Sequence, residues 1–463
     1  MRIKWMLSIT GAEIFLPYSF KDLYNLSGKK KINFKFGSWN KPLKVKFKRT
    51  LSKGTIGLSS KLKKEIFIPE DVTFQLNVIN NTVQLGPMIL WVAANENKRL
   101  IERLPNLQKR VERHVPETGM ICICSEEGVD PTTDQIEGFY YSHDSSGEEL
   151  KWKKAVFSKP GAVFKRVRLS TVINTNLMKQ SNGNMFNSYF HTKWEMWRLL
   201  SRDNAVSKHL PFTKKVNKIS AINKVLRKYP SVYIKPVDGS EGAKIIRVEK
   251  SRYGYRITDD RNNKANVVNL EDYPKLQEKL NSYREYIVQQ DVSMKHDSRN
   301  VDFRIYMQKN KLHKWTSSGI TARVGRQGSI ITNLRQQEYW IKGSKALRKI
   351  YGLSKKGTAS QEKKIIDICT KACEAADKTG HFGDIAIDFT VDKNLNVWIL
   401  EMNMRNVYPV EDRSLSHKVK GTPFLYAMSL DGFNVEEKRE KKEKKEKKET
   451  KEKKGKKDKK PEK

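Results

Sequence analysis

Asp388, Glu401 and Asn403 are the residues whose types and spacing most directly suggest chemistry. Ile385, Ile387, Phe389 and Val391 alternate with other residues, and Val397 and Ile399 continue the pattern beyond the turn-rich stretch Asp392-Lys393-Asn394-Leu395-Asn396. That pattern predicts a β-hairpin. Folding about Asn394 sets Asp388 opposite the Leu400/Glu401 end of the partner strand. Glu401 and Asn403 are two residues apart and share a face. Two carboxylates and an amide oxygen then converge, a hard-oxygen set suited to Mg²⁺ held together with phosphate oxygens. A surface hairpin with scattered acids fits the same residues.

Groups with complementary chemistry precede the hairpin. Val232 to Pro236 reads as a strand that carries Lys235 and leads into Asp238-Gly239-Ser240-Glu241-Gly242, and Ile245 to Val248 returns as a strand. A glycine loop between strands lets backbone N–H groups approach a phosphate, and Lys235 adds a point charge. An ordinary hairpin with a solvated lysine is the competing account. Glu285 to Val292 reads as a buried strand ending in Gln290 and Asp291. A linker strand with free backbone groups can read an adenine edge, and an acid there can hold a ribose hydroxyl. Asp302 and Arg304 share a strand face. The guanidinium fork suits phosphate or carboxylate, with a cross-strand ion pair as the alternative. Arg323 and Asn333 lie in the basic, glycine-containing segment that follows.

The elements that must position these groups divide the chain into four parts. Residues 1–84 read as a small β-rich module, with short alternating runs at 43–47, 65–68 and 72–76. Residues 85–186 read as α/β: a buried strand over 85–92, a helix over 95–111, and further strands at 120–124, 136–141 and 162–167. Residues 187–430 hold the groups above and a helix over 360–378, whose apolar face includes Ile365, Cys369, Ala372 and Cys373. Residues 431–463 form a Lys/Glu-rich tail with no apolar residue after Val435, which predicts a solvated, disordered segment.

Composition sets the outer limits. The 463 residues include only four cysteines, with no zinc-like spacing, so core packing and a reducing compartment account for them. The net charge is +39. Residues 436–463 hold 16 Lys/Arg and 9 Asp/Glu, a balance of +7, so most of the excess lies on the body. Such a surface attracts nucleotides, nucleic acid, acidic peptides or other polyanions. No zinc-finger or RNA-recognition pattern accompanies it. The first residues lack a signal-peptide core, and no apolar run approaches a membrane span, which predicts cytoplasmic synthesis.

Taken in order, Lys235 with its glycine loop, Val288-Gln289-Gln290-Asp291, Asp302-Phe303-Arg304, Arg323, Thr332-Asn333-Leu334, Asp388 and Glu401-Met402-Asn403 resemble the ATP-grasp superfamily. Gly57-Leu58-Ser59, Leu85-Gly86-Pro87, Asn187, Lys193-Trp194 and Leu210-Pro211-Phe212-Thr213 make the chain to about residue 430 similar to the YheC/YheD family of endospore coat-associated proteins. The resemblance implies a mixed α/β and α+β chain, with an ATP-grasp domain over 187–430 behind an α/β pre-grasp domain and the β-rich module. It implies that Lys235 binds ATP phosphate, that Gln290 and Asp291 lie at the adenine–ribose hinge, and that Asp302 contacts the nucleotide. Arg304 and Arg323 are implied as catalytic, steadying phosphates or an acyl-phosphate with Asn333. Asp388, Glu401 and Asn403 are implied to hold Mg²⁺, or Mn²⁺ in its place. Lys193 matches a family position with no role assigned.

The activity this implies is ATP- and Mg²⁺-dependent ligation of a carboxylate to an amine or thiol through an acyl-phosphate, in a spore-coat-associated protein with an amino acid or peptide as substrate. Phosphoryl transfer chiefly needs positioning and charge neutralisation, so no protein nucleophile is required. Two departures from the family pattern motivate a second reading: Arg335 to Glu338 replace a glycine pair, and Glu241 and Ala243 stand in the phosphate loop. That reading is a nucleotide-binding or catalytically degenerate ATP-grasp protein serving as a structural coat component. A third is a polyanion-binding scaffold partnered through charge.

Overall fold

A computed structural model describes every residue except 8–10, 115–117, 143–148, 240–242, 283, 333–335, 406–412 and 434–463, and leaves out the side chains of 113–114 and 413–414. Of the tail expected over 431–463, residues 434–463 lie outside the described residues, whereas Asp431, Gly432 and Phe433 are folded against the body, with Asp431 and Phe433 buried. The rest builds four sheets. The first runs in the order Arg2–Met6, Thr55–Ser59, Glu13–Pro17, Trp39–Lys48, Lys31–Phe36, Thr82–Gly86, Gln75–Ile79. Lys31–Phe36 illustrates its logic: Ile32, Phe34 and Phe36 are buried, while Lys31 and Asn33 face water. The expected strand at 65–68 does not form. This stretch follows the 3₁₀ turn Ser60–Lys64, and the Trp5 indole N–H donates to the Ile68 carbonyl at 3.2 Å in place of a ladder partner.

The single strand expected over 85–92 is two strands in two sheets, Thr82–Gly86 and Met88–Ala94, separated at the cis Gly86–Pro87 bond. Proline offers no N–H to a ladder, so pairing breaks there. Met88–Ala94 lies between Met120–Ser125 and Ala162–Lys165, parallel to both, and all seven of its residues are buried. Continuous apolar runs suit a parallel strand covered on both faces. Cys122 and Cys124 sit in this core, and Cys369 and Cys373 in another; all four are free thiols.

The third sheet runs Thr213–Val216, Tyr286–Gln290, Ser231–Pro236, Ile246–Ser251, Gly254–Asp259, Lys264–Val267. The fourth runs Gln337–Lys342, Trp315–Gly325, Arg299–Lys309, Asp384–Val391, Val397–Asn403. Helix Lys355–Asp377 supports the fourth sheet by packing Ile365, Ile368, Cys369 and Ala372 with Phe303, Ile387 and Phe389. It starts earlier than its apolar face suggests, because the Ser354 hydroxyl caps it by accepting from the Gly357 N–H at 3.1 Å. Among the described residues no helix is long and apolar enough to cross a membrane.

The last helix, Arg413–Leu430, delivers Asp431 to the junction of the first two sheets. One Asp431 oxygen accepts from the Met88 N–H at 2.8 Å; the other is buried without a partner. Gln84 and Asn77 donate to the Asp431 and Gly432 carbonyls. Burial pushes the Asp431 carboxyl up to about 7, against the opposing pull of the Met88 N–H and Lys35. The folded state therefore binds this proton more tightly than the unfolded chain, and stability falls as pH rises from about 4 to about 7. Asp431→Asn is expected to remove that part of the slope and to stabilise the protein at pH 8 by about 1–3 kcal/mol. Urea midpoints at pH 5 and pH 8 check this; an unchanged pH dependence contradicts it.

Candidate nucleotide and metal site

The hairpin Asp384–Val391 and Val397–Asn403 pairs Asp388 with Glu401 and Ala386 with Asn403, with a register irregularity between Asp388 and Phe389. The neighbouring strand Arg299–Lys309 sets Arg304 beside Asp388 on the opposite edge of that ladder. Trp315–Gly325 then sets Arg323 beside Asp302. Asp302, Arg304, Arg323 and Asp388 alternate with core residues such as Phe303, Ile305, Ile387 and Phe389; in Val397–Asn403 the irregularity shifts the phase after Ile399, so Glu401 and Asn403 leave the core side of Val397 and Ile399 and join the same face.

On that face the charges form a continuous chain. Arg304 makes a fork with Asp388, Nε to Oδ1 at 2.7 Å and Nη2 to Oδ2 at 2.8 Å. Arg323 makes a second fork with Asp302, both bonds at 2.7 Å, and its Nη2 lies 3.1 Å from Asp388 Oδ2. The Thr332 hydroxyl also donates to Asp302, and the Asn403 amide lies 3.4 Å from Asp388. Burial alone would raise the Asp388 carboxyl, but Arg304 and Arg323 outweigh it and hold Asp388 well below the usual carboxylate range. The cross-strand ion pair, the alternative for Arg304, is present.

The third sheet supplies the opposing charge. The Lys235 ammonium donates to Gln289 Oε1 at 2.7 Å, and the Gln289 amide donates on to Thr213. Lys235 sits opposite Ile287 while Tyr233 sits opposite Gln289, so Lys235 and Gln289 are diagonal neighbours on one face. Burial pulls Lys235 down to about 8, with Glu401 opposing and Lys193 adding to the fall; Asp291 and Asp302 also act on it. Lys193 joins the two sheets. Its ammonium donates to the Gly239 carbonyl at 2.5 Å and lies 3.8 Å from Glu401. Tyr233 adds a further bridge by donating to the Ile330 carbonyl at 3.1 Å. Where the two sheets meet, four cations, Lys193, Lys235, Arg304 and Arg323, face three carboxylates, Asp302, Asp388 and Glu401.

Two expectations need correction, and two fall beyond the described residues. Tyr286–Gln290 is not a linker strand with free backbone groups: it pairs with Thr213–Val216 on one side and Ser231–Pro236 on the other. The Gln290 N–H donates to Phe212, and the Asp291 N–H to Ser231. Nor is Asp291 a free acid beside a ribose. It accepts from Arg247 Nε at 2.7 Å and from the Ser231 hydroxyl at 2.7 Å. Burial opposes its ionisation, but Arg247, Ser293 and Ser231 more than offset that. Gln290 lies at the sheet end with its side-chain oxygen 3.3 Å from the Phe212 N–H. Asn333 and the loop tip 240–242 lie outside the described residues.

Sequence reasoning left Lys193 without a role and passed over Gln289 as a site residue. Alternation shows which face of its strand each residue takes, but the pairing that sets Gln289 beside Lys235 spans 54 residues and the Lys193 contacts are also non-local. Asn187 has a positive φ of 55° and is buried. Its amide donates to the Asp384 and Met404 carbonyls at 2.9 and 3.0 Å, and its oxygen accepts from the Gly383 and Asp384 N–H groups. It fixes the open end of the hairpin that carries Asp388 and Asn403.

Among the described residues no three His, Cys, Asp or Glu side chains converge as a metal site. The donor set at the hairpin is instead two carboxylates and an amide. Both Asp388 oxygens accept from Arg304 and Arg323, and the Glu401 carboxylate and the Asn403 amide stand beside them on the same face.

A family description reading "YheC/D like ATP-grasp" matches residues 182–430. The chain belongs to this YheC/D-like ATP-grasp family, and its fold is the α/β ATP-grasp architecture. It is 24% identical over 387 residues to the endospore coat-associated protein YheD of Bacillus subtilis, covering 78% of this chain and 81% of YheD. Among solved structures it is similar to the ATP-grasp ligase PsnB complexed with minimal precursor, Mg and ADP, at 13% identity and a TM-score of 0.41, covering 74% of this chain and 98% of that one. It is also similar to the D-alanine-D-alanine ligase from Coxiella burnetii, at 10% identity and a TM-score of 0.43, covering 74% and 95%.

Proposed function

We propose that this protein is an ATP- and Mg²⁺-dependent ligase that joins a carboxylate to an amine through an acyl-phosphate, with ATP bound between the third and fourth sheets and an association with the spore coat. The observation that carries the reading is the meeting of Lys193, Lys235 and Glu401 across the two sheets, over a face that already holds Arg304, Arg323, Asp302 and Asp388. One site there combines the charges a polyphosphate requires with hard-oxygen donors for a cation.

Asp388, Glu401 and Asn403 would hold Mg²⁺, which when bound neutralises phosphate charge and supplies Lewis acidity. Lys235 and Lys193 bind phosphate oxygens from the third-sheet side. Gln289 fixes the Lys235 ammonium so that no reorganisation is needed as charge shifts. Arg304 and Arg323 are held by their carboxylates at fixed positions facing the transferred phosphoryl group. The substrate carboxylate oxygen attacks the γ-phosphorus and ADP leaves. The amine nitrogen then attacks the acyl carbon, the C–O bond to phosphate breaks, and the departing phosphate takes the proton that the nitrogen loses. The protein's part is positioning, charge and exclusion of water. Asp302 and Asp291 act here as partners of Arg323 and Arg247 rather than as direct nucleotide ligands.

The depressed Lys235 ammonium gives this reading a pH signature. A phosphate binds the charged form, so ATP affinity weakens as pH rises through about 8. Lys235→Met is expected to weaken ATP binding by about tenfold at pH 7 and to abolish that pH dependence, measured by calorimetric titration of ATP with Mg²⁺ from pH 6.5 to 9. Equal affinity in the wild type and the variant across the range contradicts the assignment. In the alternative, a nucleotide-binding coat component, ATP binds in the same way without phosphate release against any acid and amine pair.

A further inference from the structure

A cleft of about 880 Å³ lies beyond the turn end of the acidic hairpin. Its walls are helix Lys355–Asp377, the short turn Ser207–His209 and the edge strand Val397–Asn403. Lys208, Lys363, Lys364 and Lys371 line it, against a single acid, Asp367. All four lysines are exposed, and Lys208, Lys363 and Lys371 make no hydrogen bond or ion pair with any described residue. Lys364 is tethered to the Leu395 carbonyl at 2.9 Å, which holds its charge at the hairpin turn. From Lys363 to Lys371 is eight residues, about 12 Å along the helix, so the charges extend over a length rather than meeting at a point.

The cleft also holds groups that a simple anion does not need. Trp398 lines it, with its indole N–H fixed to Asp392 at 2.9 Å. His209 Nδ1 lies 3.1 Å from the Val397 carbonyl, so Nδ1 carries the proton. Burial, with Lys208, Lys364 and Lys371 nearby, keeps the imidazole neutral, which leaves Nε2 as an acceptor. Asn396 and Asp367 add further acceptors.

We infer that this cleft binds single-stranded nucleic acid, with backbone phosphates along the lysines, a base against Trp398, and base-edge donors met by His209, Asp367 and Asn396. An acidic peptide or polyphosphate would meet the lysines, but it would leave Trp398 and the His209, Asp367 and Asn396 acceptors without partners. Base stacking on an aromatic side chain together with a basic track is the general form of single-strand recognition.

The test is fluorescence anisotropy of an oligothymidylate of about eight nucleotides with the full chain over a range of salt. The double variant Lys363→Glu/Lys371→Glu is expected to weaken binding by tenfold or more and to lower the logarithmic salt slope by about 1.4, the value for two lost phosphate contacts on a single strand. Lys29→Glu/Lys30→Glu makes the same charge change at exposed lysines of the first module and is expected to weaken binding less than about twofold. Trp398→Leu is expected to cost about fivefold with the slope unchanged; Trp398→Phe, which keeps a ring, is expected to recover most of that loss. Equal losses in the cleft and control variants overturn the proposal, as does displacement of the oligonucleotide by polyphosphate or polyglutamate at matched charge. None of these residues lies in the ATP site, so the outcome is independent of ligase activity.

Discussion

Asp388→Ala is expected to abolish ATP turnover and to destabilise the protein by about 3–5 kcal/mol. Asp388 is 7% exposed and receives three guanidinium contacts within 3.1 Å. Removing it leaves Arg304 with neither bond of its fork. Arg323 keeps Asp302, so the damage concentrates on Arg304. The cost is that of an uncompensated buried charge, not of a surface bridge. Asp388→Asn keeps the shape but halves the acceptor set, and its stability should fall between the two. Urea denaturation separates this effect from turnover, which is measured where both variants remain folded. An Asp388→Ala protein as stable as the wild type would show that the Arg304–Asp388 fork is not the structural tie of this sheet.

Glu401→Gln is expected to do the reverse: little to stability, much to activity. The Glu401 side chain is 32% exposed, and its ion-pair partner Lys193 is 3.8 Å away. Contacts of that kind contribute at most about 1 kcal/mol. As the proposed donor to the cation, however, Glu401 brings a full charge that glutamine lacks. Turnover should fall about 10²–10³-fold, and the Mg²⁺ concentration for half-activity should rise. The double variant with Lys193→Met tests whether the two residues act together: losses smaller than the sum indicate one unit bridging the sheets. Unchanged turnover and an unchanged Mg²⁺ response in Glu401→Gln contradict the cation assignment.

The contrast between these residues reflects what can be read from a sequence. The juxtaposition of Asp388 and Glu401 was legible only in part: a turn about Asn394 with unbroken alternation sets Asp388 opposite Leu400, and the register irregularity next to Phe389 brings Glu401 opposite it instead. The Arg304 fork was legible only as one of two alternatives, since strand order is set by non-local pairing. The same limit explains Gln290. Nothing local to Glu285–Val292 reveals that Thr213–Val216 closes the far side of the strand and satisfies its backbone. The Lys193 bridge spans 46 residues to Gly239 and more than 200 to Glu401, so only the folded chain displays it. Asp431 reads in the sequence as the first residue of the solvated tail. Its burial follows from the last helix reaching back to Gln84 and Met88, more than 340 residues away. The separation of 85–92 into two strands was readable in principle from Pro87 alone.

The central claim is ligation driven by ATP, and the most direct measurement is phosphate release with Mg²⁺ against a library of amino acids and peptides, followed by mass analysis. Release is expected only when a particular carboxylate and amine are both present, with one ADP and one phosphate per product and a product mass equal to the sum of the two substrates less one water. ATP binding with no phosphate release across the whole library would contradict it and leave a nucleotide-binding protein without ligase activity.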